Sequence, residues 1–376
     1  MNIEQIFFEL IRVAIGNAEC LSHTPTAKEW QMLYEMAKKQ SLVGICFAGV
    51  QRLQGQMQCP PEQLYLQWMG MAAKIQQRNE VLNRQCAELD ESLKRRGYRC
   101  CVLKGQGVAA LYRQNCGETS RAGSDPVREK NVENLSMLRQ SGDIDLWVDA
   151  PKEKVVELAE KMGITEKAGY LHVGTKFKGV DVELHYRPTY MRNPWHNKRM
   201  QEFCEAHKDF KSLKLNAEGL EIVVPSDEFN VVYLLSHIYR HLFGAGIGLR
   251  QLMDYYFVLV NANCRELSAN CSVNSILKSL GLYDFAGAVM YVLNVVFGME
   301  DQYMICKPDE VRGKELLRHV MQTGNFGKMD KEQKEARQSL LGTMAYKVRQ
   351  WWLLLRYYPA ETVFAPYWAV SSKLRD

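Results

Sequence analysis

The chain has 376 residues, too many for one simple core, so two or three units are expected. Hydrophobic residues make up 47% and charged residues 24%, which excludes a disordered or low-complexity chain; the net charge of +5 gives only weak support to a polyanionic partner such as a nucleotide or RNA. Eleven scattered cysteines without a C-x-x-C pair argue against a zinc ribbon, and a start without a basic n-region favours the reducing cytoplasm.

Apolar residues Ile6, Phe7, Leu10 and Val13 recur at helical spacing from Ile3 to about Ala14. A second helix is expected after Thr24-Pro25-Thr26, a third from Leu42 to Leu53, and a long fourth from Pro61 to about Leu93. Residues 1–97 therefore read as an N-terminal helical region. Tyr98 to Leu103 is a short strand candidate that ends in Lys104-Gly105-Gln106-Gly107, with a helix expected at Val108 to Tyr112. The polar stretch from Gln114 to Gln140 reads as an exposed loop.

Next comes Gly142-Asp143-Ile144-Asp145-Leu146-Trp147-Val148, where the period of two in a strand puts Asp143 and Asp145 on one face. Asp is depleted in strands and the two like charges repel, so a divalent cation is the economical neutraliser. A helix follows from Lys152 to Met162, then strands from Tyr170 to Phe177 and Val180 to Tyr186, the latter with Asp181, Glu183 and His185 on one face. After Pro188 the pattern is helical for almost the whole remainder. Ser226-Asp227 marks a helix start, the segment 244–248 breaks that helix, and Leu249 to Val260 resumes it. The most apolar run, Phe285 to Met299, is short of the ~20 residues that span a bilayer, so no membrane span is expected.

Carboxylates converging from two strands are the arrangement that holds two Mg²⁺ ions for phosphoryl displacement, and magnesium suits a site of oxygen ligands. Backbone N–H groups after Lys104-Gly105 are candidates for receiving a triphosphate. His237 and His241 lie one helical turn apart but lack the Glu of His-Glu-x-x-His and a third ligand, so they read as packing or hydrogen-bonding histidines. Arg250 and Asp254, four apart, read as an ion pair across one turn, with a place on a nucleotide cleft as the alternative. No zinc finger or RNA-recognition strand motif is present.

Leu103-Lys104-Gly105, Arg139 with Gly142-Asp143-Ile144-Asp145-Leu146-Trp147-Val148, and Val182-Glu183-Leu184-His185-Tyr186 together resemble the DNA polymerase β-type nucleotidyltransferase superfamily. More narrowly they resemble its bacterial branch, the uncharacterised nucleotidyltransferase family. The resemblance covers roughly Val102 to Asp254, and His237, His241 and Gly248 to Asp254 look like that branch's helical portion.

The resemblance implies an α+β fold: a nucleotidyltransferase palm with a small mixed sheet at 98–190, flanked by helical regions at 1–97 and 191–376. It implies transfer of a nucleoside monophosphate from an NTP such as ATP to an unidentified acceptor (small molecule, protein or RNA end), with Mg²⁺ or Mn²⁺ and release of pyrophosphate. Asp143 and Asp145 match the metal ligands and Glu183 the third carboxylate, with Asp181 on the same face as its alternative. Lys104, Gly105, Gly142 and Arg139 fall at nucleotide-binding positions, and His185 is a motif position. The chain departs from the superfamily in having Lys-Gly-Gln-Gly in place of Gly-Ser or Gly-Gly at the turn, and a longer connection to Asp143. The alternative is a catalytically inactive nucleotide- or partner-binding protein that retains the palm. A helical scaffold with an incidental sheet is a third reading.

Overall fold

A computed structural model describes residues 2–56, 58–113, 135–164, 166–215, 219–243, 246–262, 272–325, 348, 351–352 and 354–368. Four helices lead: Ile3–Ile15, Ala27–Gln40, Val43–Leu53 and Glu62–Arg95. Local chemistry sets their starts. Asn2 accepts a hydrogen bond from the Glu4 N–H, and Thr26 and Glu29 form a reciprocal capping box. The long helix serves two cores. Leu64, Trp68 and Ala72 pack among the helices, whereas Leu82, Cys86, Leu89 and Leu93 pack beneath the sheet.

That sheet has four strands, β1 (Cys100–Val102), β2 (Ile144–Val148), β3 (His172–Phe177) and β4 (Val180–His185), in the order β1-β2-β4-β3. β2 and β4 are parallel, with the Lys152–Met162 helix in the crossover between them; the outer pairs are antiparallel. β3 and β4 are joined by a two-residue turn in which Lys178 and Gly179 both have positive φ, the hairpin geometry that matches strand twist. The Lys178 ammonium pairs with Glu88 at 2.7 Å and its carbonyl accepts from Gln85, which ties the hairpin to the long helix.

Strand alternation sends Ile144, Leu146 and Val148 to one face, against Val155, Leu158 and Ala159 of the crossover helix. Trp147 goes to the other face, where it stacks on Phe229 with ring centroids 5.2 Å apart. Asp145 shares the Trp147 face and therefore points toward the Asp227–Leu242 helix. The fold is α+β, a small mixed sheet flanked by helices. No helix among the described residues is long and apolar enough to cross a membrane.

Two segments differ from the sequence expectation. The region after Pro188 is not all helix: β5 (Phe210–Lys214) and β6 (Glu221–Pro225) form an antiparallel hairpin, and Leu215, Ile222 and Val224 complete the core beneath the sheet. Its alternation is diluted by the lysines of β5, so the strand period is weak in the sequence. The end of the supposed exposed loop is a short buried helix, Leu135–Leu138, while residues 114–134 of that loop lie outside the described residues.

This short helix is held by very close contact. A Cβ added at Gly44 would lie 2.2 Å from the Leu138 carbonyl oxygen. Gly→Ala within a helix ordinarily gains about 1 kcal/mol, but overpacking against backbone costs about 1–3 kcal/mol. Gly44→Ala is therefore expected to lower the urea midpoint despite its better helix propensity, and an unchanged or raised midpoint would contradict this packing.

Candidate active site

The register of β2 against β4 sets Asp145 directly beside Glu183. Asp143, one residue before β2, adds a third carboxylate, and ligand oxygens of the three lie within 4.8 Å of one another. The set consists of hard oxygen donors, which suits a divalent cation such as Mg²⁺ or Mn²⁺. A cation already sits against it: Lys104 Nζ lies 2.7 Å from Asp145 Oδ1. His185 Nε2 donates to Asp145 at 3.1 Å and lies 3.2 Å from Glu183, while its Nδ1 is 3.4 Å from the Arg187 carbonyl.

Both nitrogens of His185 thus face acceptors. Burial works against a charged ring, but the hydrogen bonds to Asp145 and Glu183 outweigh it and raise the pKa. Burial likewise opposes ionisation of Asp145, yet the Lys104 ammonium and His185 hold its carboxyl well below the usual range. His172 stands beside this group, its ring 4.8 Å from that of His185 and its Nδ1 3.5 Å from Glu183. Burial and the neighbouring His185 pull it down to about 4, against the opposing influence of Glu183.

Lys104 is carried by the turn after β1. Gly105 there has φ 60° and ψ −112°, a conformation that side chains disfavour. The Leu103 N–H donates to the Asp145 carbonyl at 3.0 Å, so the turn is stitched to β2. Gly107 packs against the sheet: an added Cβ would meet the Val102 carbonyl oxygen at 2.7 Å. The helix that follows has only four residues, Gln106–Ala109, and therefore a small dipole.

Arg139 does not end near the carboxylates as a solvent-facing cation. It is buried and forms a two-point pair with Asp254, Nε to Oδ1 at 2.6 Å and Nη2 to Oδ2 at 2.7 Å. The Tyr112 hydroxyl donates to the same Oδ1 at 2.8 Å. Asn79 of the long helix donates to the Met137 and Arg139 carbonyls, which fixes the segment leading into β2. Asp254 is thus held by Arg139, a partner that its spacing to Arg250 one turn away does not reveal. Arg250 donates to the Gln140 carbonyl at 2.7 Å, and burial together with the charge of Arg139 lowers its pKa to about 10.

These groups surround one cleft of about 290 Å³ between the sheet and the helices Asp227–Leu242 and Leu249–Asn261. Lys104, Gly105, Arg139, Gly142, Asp143, Asp145, Glu183, Arg250 and Asp254 all line it. His185 sits behind Asp145 and Glu183. Asp181 lies apart from the cleft: its side chain is largely exposed and pairs with Lys176 at 3.3 Å. His172, Arg240 and Gln251 also line the cleft; only Gln251 falls in a segment that the family resemblance covers by motif, Gly248 to Asp254, and the resemblance gives it no role there. His237 and His241 line it too, with rings 4.4 Å apart, and no third metal ligand joins them among the described residues.

The sequence matches the family described as uncharacterised nucleotidyltransferase over residues 26–117 and 134–298. The chain belongs to the uncharacterised nucleotidyltransferase family. That match takes in the glycine turn, both acidic strands and the two helices that wall the cleft. No curated protein and no solved structure matches the chain. Membership of this nucleotidyltransferase family brings nucleotidyl transfer as the class of activity, and it does so for a chain whose cleft gathers three carboxylates.

Removing Asp254 would strand a buried guanidinium. Asp254→Ala is expected to cost about 3–5 kcal/mol in urea unfolding, and the double replacement Arg139→Met/Asp254→Leu to recover most of that loss. Equal stability of Asp254→Ala and wild type would show that the pair does not hold the cleft together.

His241 gives a pH signature. Burial, Arg240 and Lys104 lower it to about 3, below its unfolded value near 6.5. A depressed histidine adds stability that is full above its unfolded pKa and is lost as pH falls. The urea midpoint is therefore expected to fall from about pH 6.5 toward pH 3, and His241→Asn to flatten that decline by up to about 1.4 kcal/mol per pH unit. Identical pH profiles for the two proteins would rule out the neutral buried state.

Proposed function

We propose that the protein is a metal-dependent nucleotidyltransferase that moves a nucleoside monophosphate from an NTP to an acceptor hydroxyl. The observation that carries this reading is the convergence of Asp143, Asp145 and Glu183 at the mouth of a cleft whose far wall is cationic. These three carboxylates would hold Mg²⁺ or Mn²⁺. Such an ion, when bound, supplies charge neutralisation of the phosphates and Lewis-acid activation at phosphorus. In the transfer, the acceptor oxygen bonds to the α-phosphorus, the bridging oxygen to the β-phosphorus leaves, and pyrophosphate carries the electron pair away.

Each residue then has a task. Asp145, kept ionised by Lys104 and His185, stays available as a ligand across the working pH range. Glu183 is half-buried and faces the cleft, where it accepts the acceptor's proton. His185, raised in pKa, orients the two carboxylates as a donor. Gly142 has open space where a Cβ would stand, so the backbone there admits close approach of the nucleotide. Lys104 lines the cleft beside Asp145, where its ammonium would be a donor to a phosphate of the nucleotide.

One observation favours a second reading, a palm that binds nucleotide without turnover. Lys104 sits against Asp145 in the manner of a built-in cation. Thermal stabilisation by NTP and Mg²⁺ with no pyrophosphate under any acceptor would support that reading.

The first reading is tested by incubating the protein with each NTP, Mg²⁺ or Mn²⁺, and candidate acceptors, and measuring pyrophosphate. Asp143→Asn/Asp145→Asn is expected to reduce release by about a hundredfold or more. Equal release from variant and wild type would sink it.

A further inference from the structure

The helical wall of the cleft carries no free acid. The Asp227–Leu242 helix contributes His237, Arg240 and His241, and the Leu249–Asn261 helix contributes Arg250, Gln251 and Asp254. Asp254 is consumed by Arg139 and Tyr112. Apart from Leu234 and Ile238, what remains facing the cavity from these helices is cationic or a neutral hydrogen-bonding group.

Two members of this wall point to a ligand. Arg240 contacts His237 Nδ1 at 3.3 Å and lies over the Tyr190 ring at 5.3 Å, and no carboxylate pairs with it among the described residues. Gln251 is 5% exposed; its Oε1 accepts from the Gly248 N–H at 2.9 Å, but its Nε2 is buried with no partner. A buried donor left unmade costs about 1–3 kcal/mol, so a group that accepts from it is strongly favoured. Burial, foremost, and the surrounding cations lower the pKa of His237 and His241.

The opposite wall sets the other requirement. Carboxylates on the sheet repel a bare anion, while donors on the helices attract one. A ligand that satisfies both walls is anionic toward the helices and carries cations toward the sheet. A metal-chelated polyphosphate has that polarity. The glycine turn is less able to take the same group: its helix has four residues, and the Gly107 N–H is already bonded to the Lys104 carbonyl.

We propose that Arg240 and the Gln251 amide, with Arg250 beside them, form the subsite for the β- and γ-phosphates of the nucleotide, the part that leaves as pyrophosphate. This assignment rests on the nucleotidyl-transfer reading and adds to it where the triphosphate tail lies: along the helices, with the α-phosphate left over the carboxylates. The arrangement pairs planar guanidinium and amide donors with phosphate oxygens, and charge-assisted bonds of this kind are the strong ones.

The test uses inorganic tripolyphosphate, which has the tail but no nucleoside, titrated calorimetrically into the full chain with Mg²⁺ present. Arg240→Met removes the guanidinium from a half-buried position. Gln251→Glu keeps the Oε1 acceptor for Gly248 and replaces the orphan donor with a charged oxygen. Each is expected to weaken tripolyphosphate and NTP by about tenfold or more while leaving nucleoside monophosphate binding within about twofold. Circular dichroism and melting confirm that each variant is folded. Unchanged tripolyphosphate affinity in both variants overturns the assignment, as does failure of the wild type to bind tripolyphosphate. Loss of nucleoside monophosphate binding in place of tripolyphosphate overturns it as well, because the wall then faces the nucleoside or the acceptor. Binding is read without turnover. If the wild type binds tripolyphosphate through Arg240 yet never releases pyrophosphate, the transfer reading fails and the subsite stands.

Discussion

Asp145 and Glu183 are forced side by side because parallel strands lock their register. Neighbouring strands are about 4.8 Å apart, and two unit charges at that separation repel by roughly 3–4 kcal/mol at an effective dielectric of 20. The polar side of the palm is organised around that repulsion. Lys104 and His185 converge on Asp145, the glycine turn aims Lys104 there, and Asp143 joins at the exposed end. The backbone geometry that creates the conflict is itself secured by the apolar face of the same strands, Ile144, Leu146, Val182 and Leu184. One face of the strand thus supplies the stability that lets the other hold an unfavourable charge pair.

The second wall of the cleft is built on a different principle. Helix Asp227–Leu242 meets the sheet through Trp147 on Phe229, and helix Leu249–Asn261 meets the turn that follows β1 through Tyr112 stacked on Phe257 at 3.9 Å. Around that packing, the Arg139–Asp254 pair fixes how far the acidic strand stands from the cationic helices. The result is a cleft polarised across its width, carboxylates on one side and donors on the other. A chelated phosphate chain fits that polarity in one orientation only.

Much of this was legible in the sequence, for reasons that differ residue by residue. Alternation over Asp143 to Val148 and Val180 to Tyr186 placed the two acidic strands, since a period of two is a local property. The leading helices were readable from apolar spacing and from the prolines ahead of the second and fourth, while the Asn2 cap and the Thr26–Glu29 capping box are seen only in the structure. The β5–β6 hairpin was not, because half of it is written in lysine and serine and its burial is decided by the sheet it covers. Asp181 and Glu183 are indistinguishable by alternation. What separates them is distance along β4 from the mouth of the cleft, and only the pairing register reveals it. The spacing of Arg250 and Asp254 suggested a helical ion pair, and it could not show that Arg139, more than a hundred positions away, also pairs with this carboxylate. Arg240 carried no signal, and Gln251 only its place in the Gly248–Asp254 segment, because a polar residue on a helix reads as solvated until a second wall closes over it.

The pair between Arg139 and Asp254 joins residues 115 positions apart, with the β2–β4 crossover, the β5–β6 hairpin and an entire wall helix between them. Its guanidinium enters a dry interior, so the segment leading into β2 has no stable resting place until residue 254 has been made. On the ribosome the acidic strand emerges long before its clamp. A nascent chain therefore presents its carboxylates on an unfinished scaffold, and the cleft is completed late, when the Leu249–Asn261 helix docks. Synthesis order and cleft assembly are coupled in this chain: the carboxylates are made first and the helical wall that faces them last.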